Sequence, residues 1–312
     1  MNKKKLQLIL VLVLVFGLTG CTKILKNEDG KAVQNEVTGQ NLTENILCRP
    51  ESEKTIKLYE DNKIAISKLP KCSSFEIADG GYEGIWTTIF VKPLAWLIIK
   101  IGVILKSYGI AIIIVTLLLR TIAIPITKKT AMQSENLKLA RPEIDKLEQK
   151  YKGRQDQESM MQKSQEMLLI YKKYNINPMS GCLFSFIQIP LFFAFYEAIN
   201  RLPAIFEETF LGLFQLGTNP MKAITNGHFY YIIFIVLVIG ATYFSFKLNS
   251  VASMSKDQEK QMKMMTNIMI VFISIASFSL PTGIGLYWIF NSGFTIVQNL
   301  LVKRRKANDR NI

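Results

Sequence analysis

An arginine stands inside a long apolar run. The stretch TLLLRTIAIP, residues 116–125, places Arg120 among leucines and isoleucines. Burying a lone guanidinium in hydrocarbon costs roughly 3 kcal/mol or more, so intramembrane ionisable residues mark a site by default. The plainer alternative is a structural arginine bonded to backbone carbonyls. Other polar residues interrupt the remaining apolar runs. Thr116 lies one turn before Arg120. Gln188, Asn267, Asn291 and Gln298 follow in later runs, and Trp288 precedes Asn291 by one turn. Each alone is more often a helix-packing contact. Spread over four runs, they outline a hydrophilic groove that would take something negative from outside the chain. No obvious carboxylate in these runs could neutralise Arg120; Glu197, near the far end of the second span, is the only candidate.

Catalytic chemistry is not visible. The chain has a single histidine, His228, and four cysteines. No Cys/His cluster has metal-ligand spacing, and no glycine loop resembles a phosphate cradle. No nucleophile–base pair stands out. These observations argue for a non-enzyme without metal or cofactor. Cys48 and Cys72 lie in a polar stretch that would face an oxidising compartment, where a disulfide is permitted. Two free thiols are equally compatible with the sequence. Cys182 opens an apolar segment and reads as a packing residue.

The elements that must position these residues follow from composition. The chain has 312 residues, is 49% hydrophobic and carries a net charge of +14. Several apolar stretches approach the ~20 residues that span a bilayer. Residues 1–20 read as a signal peptide, with a basic region at Lys3, Lys4 and Lys5 and an apolar core. It ends in LTGC, which resembles a lipobox with Cys21 as the lipidated residue. Residues 21–84 read as an extracellular polar leader, partly ordered at best. Residues 85–106 are apolar, but Lys92, Lys100 and Lys106 share an arc of about 120° on a helical wheel. That pattern suits a helix lying in the interface.

A membrane-embedded core is expected over 107–302. Spans are expected at 108–127, 181–200, 229–247, 263–280 and 283–302. Between the first two, residues 128–180 carry two heptad stripes: Leu137, Ala140, Ile144, Leu147 and Tyr151, then Met160, Ser164, Met167, Tyr171 and Tyr174. Around Gly153 these predict an antiparallel helical hairpin. The stretches 128–180, 248–262 and the tail 303–312 are rich in Lys and Arg, which places them in the cytoplasm. Five spans then carry the chain from an outer N-terminus to an inner C-terminus. A sixth span at 85–106 would reverse this. The fold class is an all-α polytopic membrane protein with a cytoplasmic hairpin and an intramembrane groove. Counted from Lys128 along a straight helix, Arg120 lies about 12 Å inside the cytoplasmic edge.

Here the chain resembles the YidC/Oxa family of membrane protein insertases. The resemblance runs from about residue 85 to 305. It is carried by Arg120 followed by Pro125, by YKKYNINPMSGC at 171–182 with IQIPLFFAFY at 187–196, and by PTGIGLYWIFNSGFTIVQN at 281–299. Two positions depart from it: Phe184 stands where a proline is usual, and Ile270 follows Met269 where a Met-Pro pair is common. A lipobox before five spans is similar to the Gram-positive form. The resemblance implies a groove open to cytoplasm and lipid, with Arg120 attracting the short acidic translocated tails of nascent membrane proteins. Thr116 and Trp288 match groove positions that meet substrate, and Gln188, Asn267 and Asn291 would line the same groove. It implies the ribosome, the Sec translocase and membrane lipids as further partners, and no DNA. The tail residues Lys303, Arg304, Arg305 and Lys306 would contact ribosomal RNA or anionic lipid. A small-solute transporter or channel is the competing reading. It calls for an inverted repeat, which five spans do not supply.

Overall fold

A computed structural model describes residues 22–36, 38–154, 156–177, 180–248 and 256–308; within it, the side chains of 180–187, 256–259, 261, 262, 265 and 306–308 are excluded. The expected signal peptide, residues 1–20, and Cys21 therefore lie outside the described residues, as do the side chains of Cys182, Phe184 and Lys306.

The chain is mostly helical. Its helices are α1 (Glu53–Asp61), α2 (Lys92–Leu105), α3 (Tyr108–Ile122), α4 (Ile124–Lys150), α5 (Gln157–Lys173), α6 (Ser180–Arg201), α7 (Pro203–Phe206), α8 (Pro220–Thr225), α9 (Tyr231–Leu248), α10 (Lys256–Ser279) and α11 (Thr282–Asn308). Strands β1 (Thr209–Phe210) and β2 (Phe214–Gln215) pair antiparallel. Two compact units are formed. The first holds residues 1–118, 189–237 and 276–290, and the second holds 119–188, 238–275 and 291–312.

In the first unit, the leader departs from expectation. Residues 22–84 are an ordered module rather than a loose one. Leu25, Leu42, Ile46, Tyr59 and Ile66 are buried together, and Phe206 from α7 joins them. Short backbone bridges, Ile24 to Thr43 and Gln34 to Asn41, satisfy its polar groups. Cys48 and Cys72 are disulfide-bonded. The Tyr59 hydroxyl donates to the Thr43 carbonyl at 3.0 Å. Burial pushes that phenol well above its ordinary range. The module had looked loose because its core is small and half of its glue is distant in sequence. Thr43 donates to the Asn200 carbonyl, and Gln40 donates to the Asn200 side chain.

Residues 87–105 begin with a π-helical turn, Thr87–Val91, and continue as α2. Length and composition alone would allow this segment, like Tyr231–Leu248, to cross a membrane. Elsewhere in the unit, Phe195 stacks on Tyr287 with ring centroids 4.2 Å apart. Gly285 gives the Phe234 ring its room, since a Cβ there would sit 2.3 Å from a ring carbon. The outward surface of α9 stays apolar, with Ile233 and Val236 exposed.

In the second unit, the first expected span ends early. Helix α3 stops at Ile122, and the chain bends by 68° into α4. Pro125 is the reason. It cannot donate the backbone bond that would continue the helix, but it fits the first turn of a new one. Arg120 therefore sits in the last turn of α3, and the straight-helix depth of 12 Å does not hold. The basic stretch 248–262 is shorter as a loop than expected, because α10 already begins at Lys256. Likewise α11 runs through the tail to Asn308.

The hairpin forms from α4 and α5. Leu137, Ala140, Ile144 and Tyr171 make its core, with Met167, Ile170 and Tyr174 packed against them. Asp156 caps α5 by accepting from the Ser159 N–H at 2.8 Å. Lys150 pairs with Glu166 and Lys173 with Glu143 across the hairpin. In that register Met160 faces position 156, beyond the end of α4. Met160 and Ser164 are accordingly exposed; of the second stripe Tyr171 is buried, and Met167 and Tyr174 are partly buried.

Candidate functional site

Arg120 is 3% exposed. It projects from the last turn of α3 into the second unit, which also contributes the first described side chain of α6 and the middle of α11. Its Nε donates to Asn291 Oδ1 at 2.5 Å, and its guanidinium also donates to Gln188 Oε1. Both partners are neutral amides. As acceptors, they satisfy two of the guanidinium's donor groups and fix its position.

The surroundings of this cation are polar. Thr295 lies one turn beyond Asn291 and donates to the Asn291 carbonyl at 3.1 Å. Gln298 donates to Thr127 Oγ1 at 2.8 Å, tying α11 to the first turn of α4. Thr127, Thr130 and Ser134 follow on α4 at helical spacing and are buried. Sequence reasoning passed over Thr127 and Thr295. Threonine is common in apolar helices, where it bonds back to its own turn. The available signal was their spacing from Pro125 and Asn291.

The other expected groove residues fall differently. Asn267 lies on α10 and is exposed. Thr116 and Trp288 belong to the first unit. There Thr116 is buried and donates to the Ile112 carbonyl at 2.6 Å. Trp288 packs edge-on against Phe192 with centroids 5.3 Å apart. In the tail, Lys303, Arg304 and Arg305 are exposed on α11.

Glu197 does not stand waiting for a partner. It accepts from Arg201 at 3.0 Å, from Trp86 Nε1 at 3.0 Å and from Thr87 at 3.4 Å. Arg201, 1% exposed, also donates from Nε to the Asn45 carbonyl and pairs with Glu83. The other oxygen of Glu83 meets Lys92 at 3.0 Å. Lys92 is fully buried and donates to the carbonyls of Asp79 and Gly81, each at 2.6 Å. Two buried cations thus share leader groups. Burial alone would raise the Glu83 carboxyl. The Arg201 and Lys92 charges outweigh it and hold the group below its ordinary range. The Glu197–Arg201 spacing of four was legible as a helical pair. Glu83 and Lys92 were not: Arg201 lies 118 residues from Glu83, and Lys92 meets Asp79, Gly81 and Glu83 across an irregular turn with no helical spacing.

Comparison with known proteins follows this geometry. Residues 100–309 match the family described as 60Kd inner membrane protein. A membrane protein insertase YidC of Oceanobacillus iheyensis is 34% identical over 71% of this chain and 85% of its own length. Membrane protein insertase YidC 2 of Bacillus anthracis is 36% identical over 70% and 82%. A crystal structure titled as an active YidC insertase with its first transmembrane domain resolved superposes with a TM-score of 0.50 at 24% identity. That match covers 80% of this chain but 52% of the other, and it bears on the fold alone. The apolar helices, the buried arginine and these likenesses together show a multi-pass membrane protein that belongs to the 60Kd inner membrane protein family, that of the YidC insertases.

Proposed function

We propose that this chain inserts nascent integral membrane proteins into the cell membrane and helps them fold, without acting as an enzyme. The observation that carries the reading is Arg120: a buried cation held by two neutral amides at the end of an apolar helix. Such a charge attracts an acidic tail transiently. The client's apolar segment then moves into lipid, driven by about 25 cal/mol per Å² of apolar surface removed from water. The membrane potential adds about 2.3 kcal/mol per charge for each 100 mV. No nucleotide or cofactor is needed for either step.

The groove would be lined by Arg120, Gln188 and Asn291, with Thr116, Trp288 and Asn267 as further substrate contacts. Five spans would place the leader outside and the hairpin and tail inside. The segment 85–106 would lie at the outer interface. Contacts in the first unit support this. Glu76 of the leader accepts from Trp96 and Lys100 at 2.9 and 2.6 Å, and Glu83 takes Lys92. Lys92, Trp96 and Lys100 of α2 thus all meet polar leader groups, which favours a polar surface beside this helix. Cleavage before Cys21 and its lipidation would anchor the leader in a Gram-positive envelope. Lys303, Arg304, Arg305 and Lys306 would meet the ribosome or anionic lipid, and the Sec translocase would be an occasional partner.

The test is reconstitution of the purified protein in liposomes. A single-span client with an acidic external tail is added, and protease protection is read. Protected tail in protein-containing vesicles, but not in empty ones, is expected. Equal protection in both sinks the proposal.

A further inference from the structure

A cavity of about 470 Å³ opens at the corner between α2 and α3. Val103, Ile110, Phe210 and Leu211 form apolar walls, and Lys106 and Glu208 stand among them. The corner is tightly built. A Cβ on Gly102 would lie 2.3 Å from the Tyr108 ring, and one on Gly109 would lie 2.2 Å from the Phe210 ring. Those two glycines let the rings seat directly on the helices. Glu208 then pins the 208–211 segment to the corner. It accepts from Ser107 Oγ at 2.8 Å and from the Tyr108 and Gly109 N–H groups at the start of α3. Its charge is spent on that helix N-terminus.

Lys106 is different. It caps α2 in the left-handed region at φ 53°, and it is exposed. Among the described residues its ammonium has no hydrogen bond or ion pair. Around it, Ile104 is 76% and Leu211 69% exposed, with Leu213 and Ile110 also open. With the leader outside, this corner lies at the outer end of the first span, at headgroup depth. Apolar side chains there are covered by acyl chains. The anion available to an ammonium at that depth is the lipid phosphodiester.

We infer that this corner binds a single outer-leaflet glycerophospholipid, its phosphodiester on Lys106 and an acyl chain along Val103, Ile110 and Leu211. The inference rests on the topology given under Proposed function. That topology has its own check. In Lys106→Cys, an impermeant maleimide should label the protein from outside intact cells. Labelling from inside only would overturn topology and site together.

The lipid site is tested with the full-length protein in phosphatidylcholine nanodiscs. A trace of phosphatidylglycerol with an acyl-chain photolabel is included, and cross-linked peptides are mapped by mass spectrometry. Peptides covering 102–110 and 208–213 should dominate over those from the exposed face of α9. Lys106→Ala should cut their yield about five-fold, the worth of one basic residue at an anionic surface. Lys106→Arg should keep it. A photolabelled diacylglycerol, which lacks the phosphate, should show no preference for the corner. The site is refuted by even labelling of both surfaces, by a Lys106→Ala yield equal to wild type, or by equal preference from diacylglycerol. Lys106 is exposed, so its substitution leaves folding nearly untouched. Circular dichroism of each variant checks this.

Discussion

At the scale of single residues, two charged centres behave in opposite ways. Arg120 is held by neutral amides, whereas Arg201 and Lys92 are neutralised by carboxylates. Amide acceptors position a guanidinium, whereas carboxylates also offset its charge. Replacing Asn291 by Leu leaves Arg120 short of an acceptor. This should cost about 1–3 kcal/mol, seen as a lower thermal unfolding midpoint in detergent. An unchanged midpoint would show that the amide does not hold the guanidinium. Glu83 gives a pH dependence. Its folded carboxyl titrates below its unfolded value near 4.3. Its contribution is complete above about pH 4.3 and is lost as pH falls through the depressed folded value. The stability of Glu83→Gln should therefore vary less between pH 5 and pH 3 than that of wild type, read by denaturant unfolding at each pH; an equal variation would show that Glu83 does not carry the dependence. Arg120, Gln188 and Asn291 were legible in the sequence, because polar residues are conspicuous in apolar runs. The Glu83–Arg201 pair was not, because nothing local announces a pairing across 118 residues.

At the scale of elements, the hairpin was read correctly where helix faces helix. Leu137, Ala140 and Ile144 are buried as their spacing foretold. Met160 misled because a heptad stripe carries no information about where the partner helix ends. The break at Ala123 was partly legible. Pro125 was visible, but the expected span 108–127 ran through it without a bend. The leader was misread most. Its core of short bridges lacks periodicity, and Phe206 arrives from the distant helix α7. The bond between Cys48 and Cys72 closes a loop with a sequence separation of 24. Its loss should destabilise this module by about 3 kcal/mol. The double variant Cys48→Ser, Cys72→Ser should be cleaved within 22–84 by external protease faster than wild type. Equal resistance would mean that the Tyr59 core suffices alone.

At the scale of the whole molecule, a basic chain with apolar helices sorts its charges by side. A single cysteine placed at position 154, at the hairpin tip, should react with an impermeant maleimide only after the membrane is opened. One at position 28 should react in intact cells. Reversal of either result would overturn the five-span topology. The central claim is that the Arg120 charge does the work of insertion. The direct measurement is client insertion into liposomes by wild type, Arg120→Lys and Arg120→Ala, each with an acidic-tailed client and with the same client made neutral. Lys should insert the acidic client nearly as well as wild type. Ala should fall at least about tenfold, within reach of one charge-assisted contact of ~1.5–3 kcal/mol, and should lose less with the neutral tail. Equal insertion of the acidic client by all three proteins would contradict the account and leave Arg120 a structural residue.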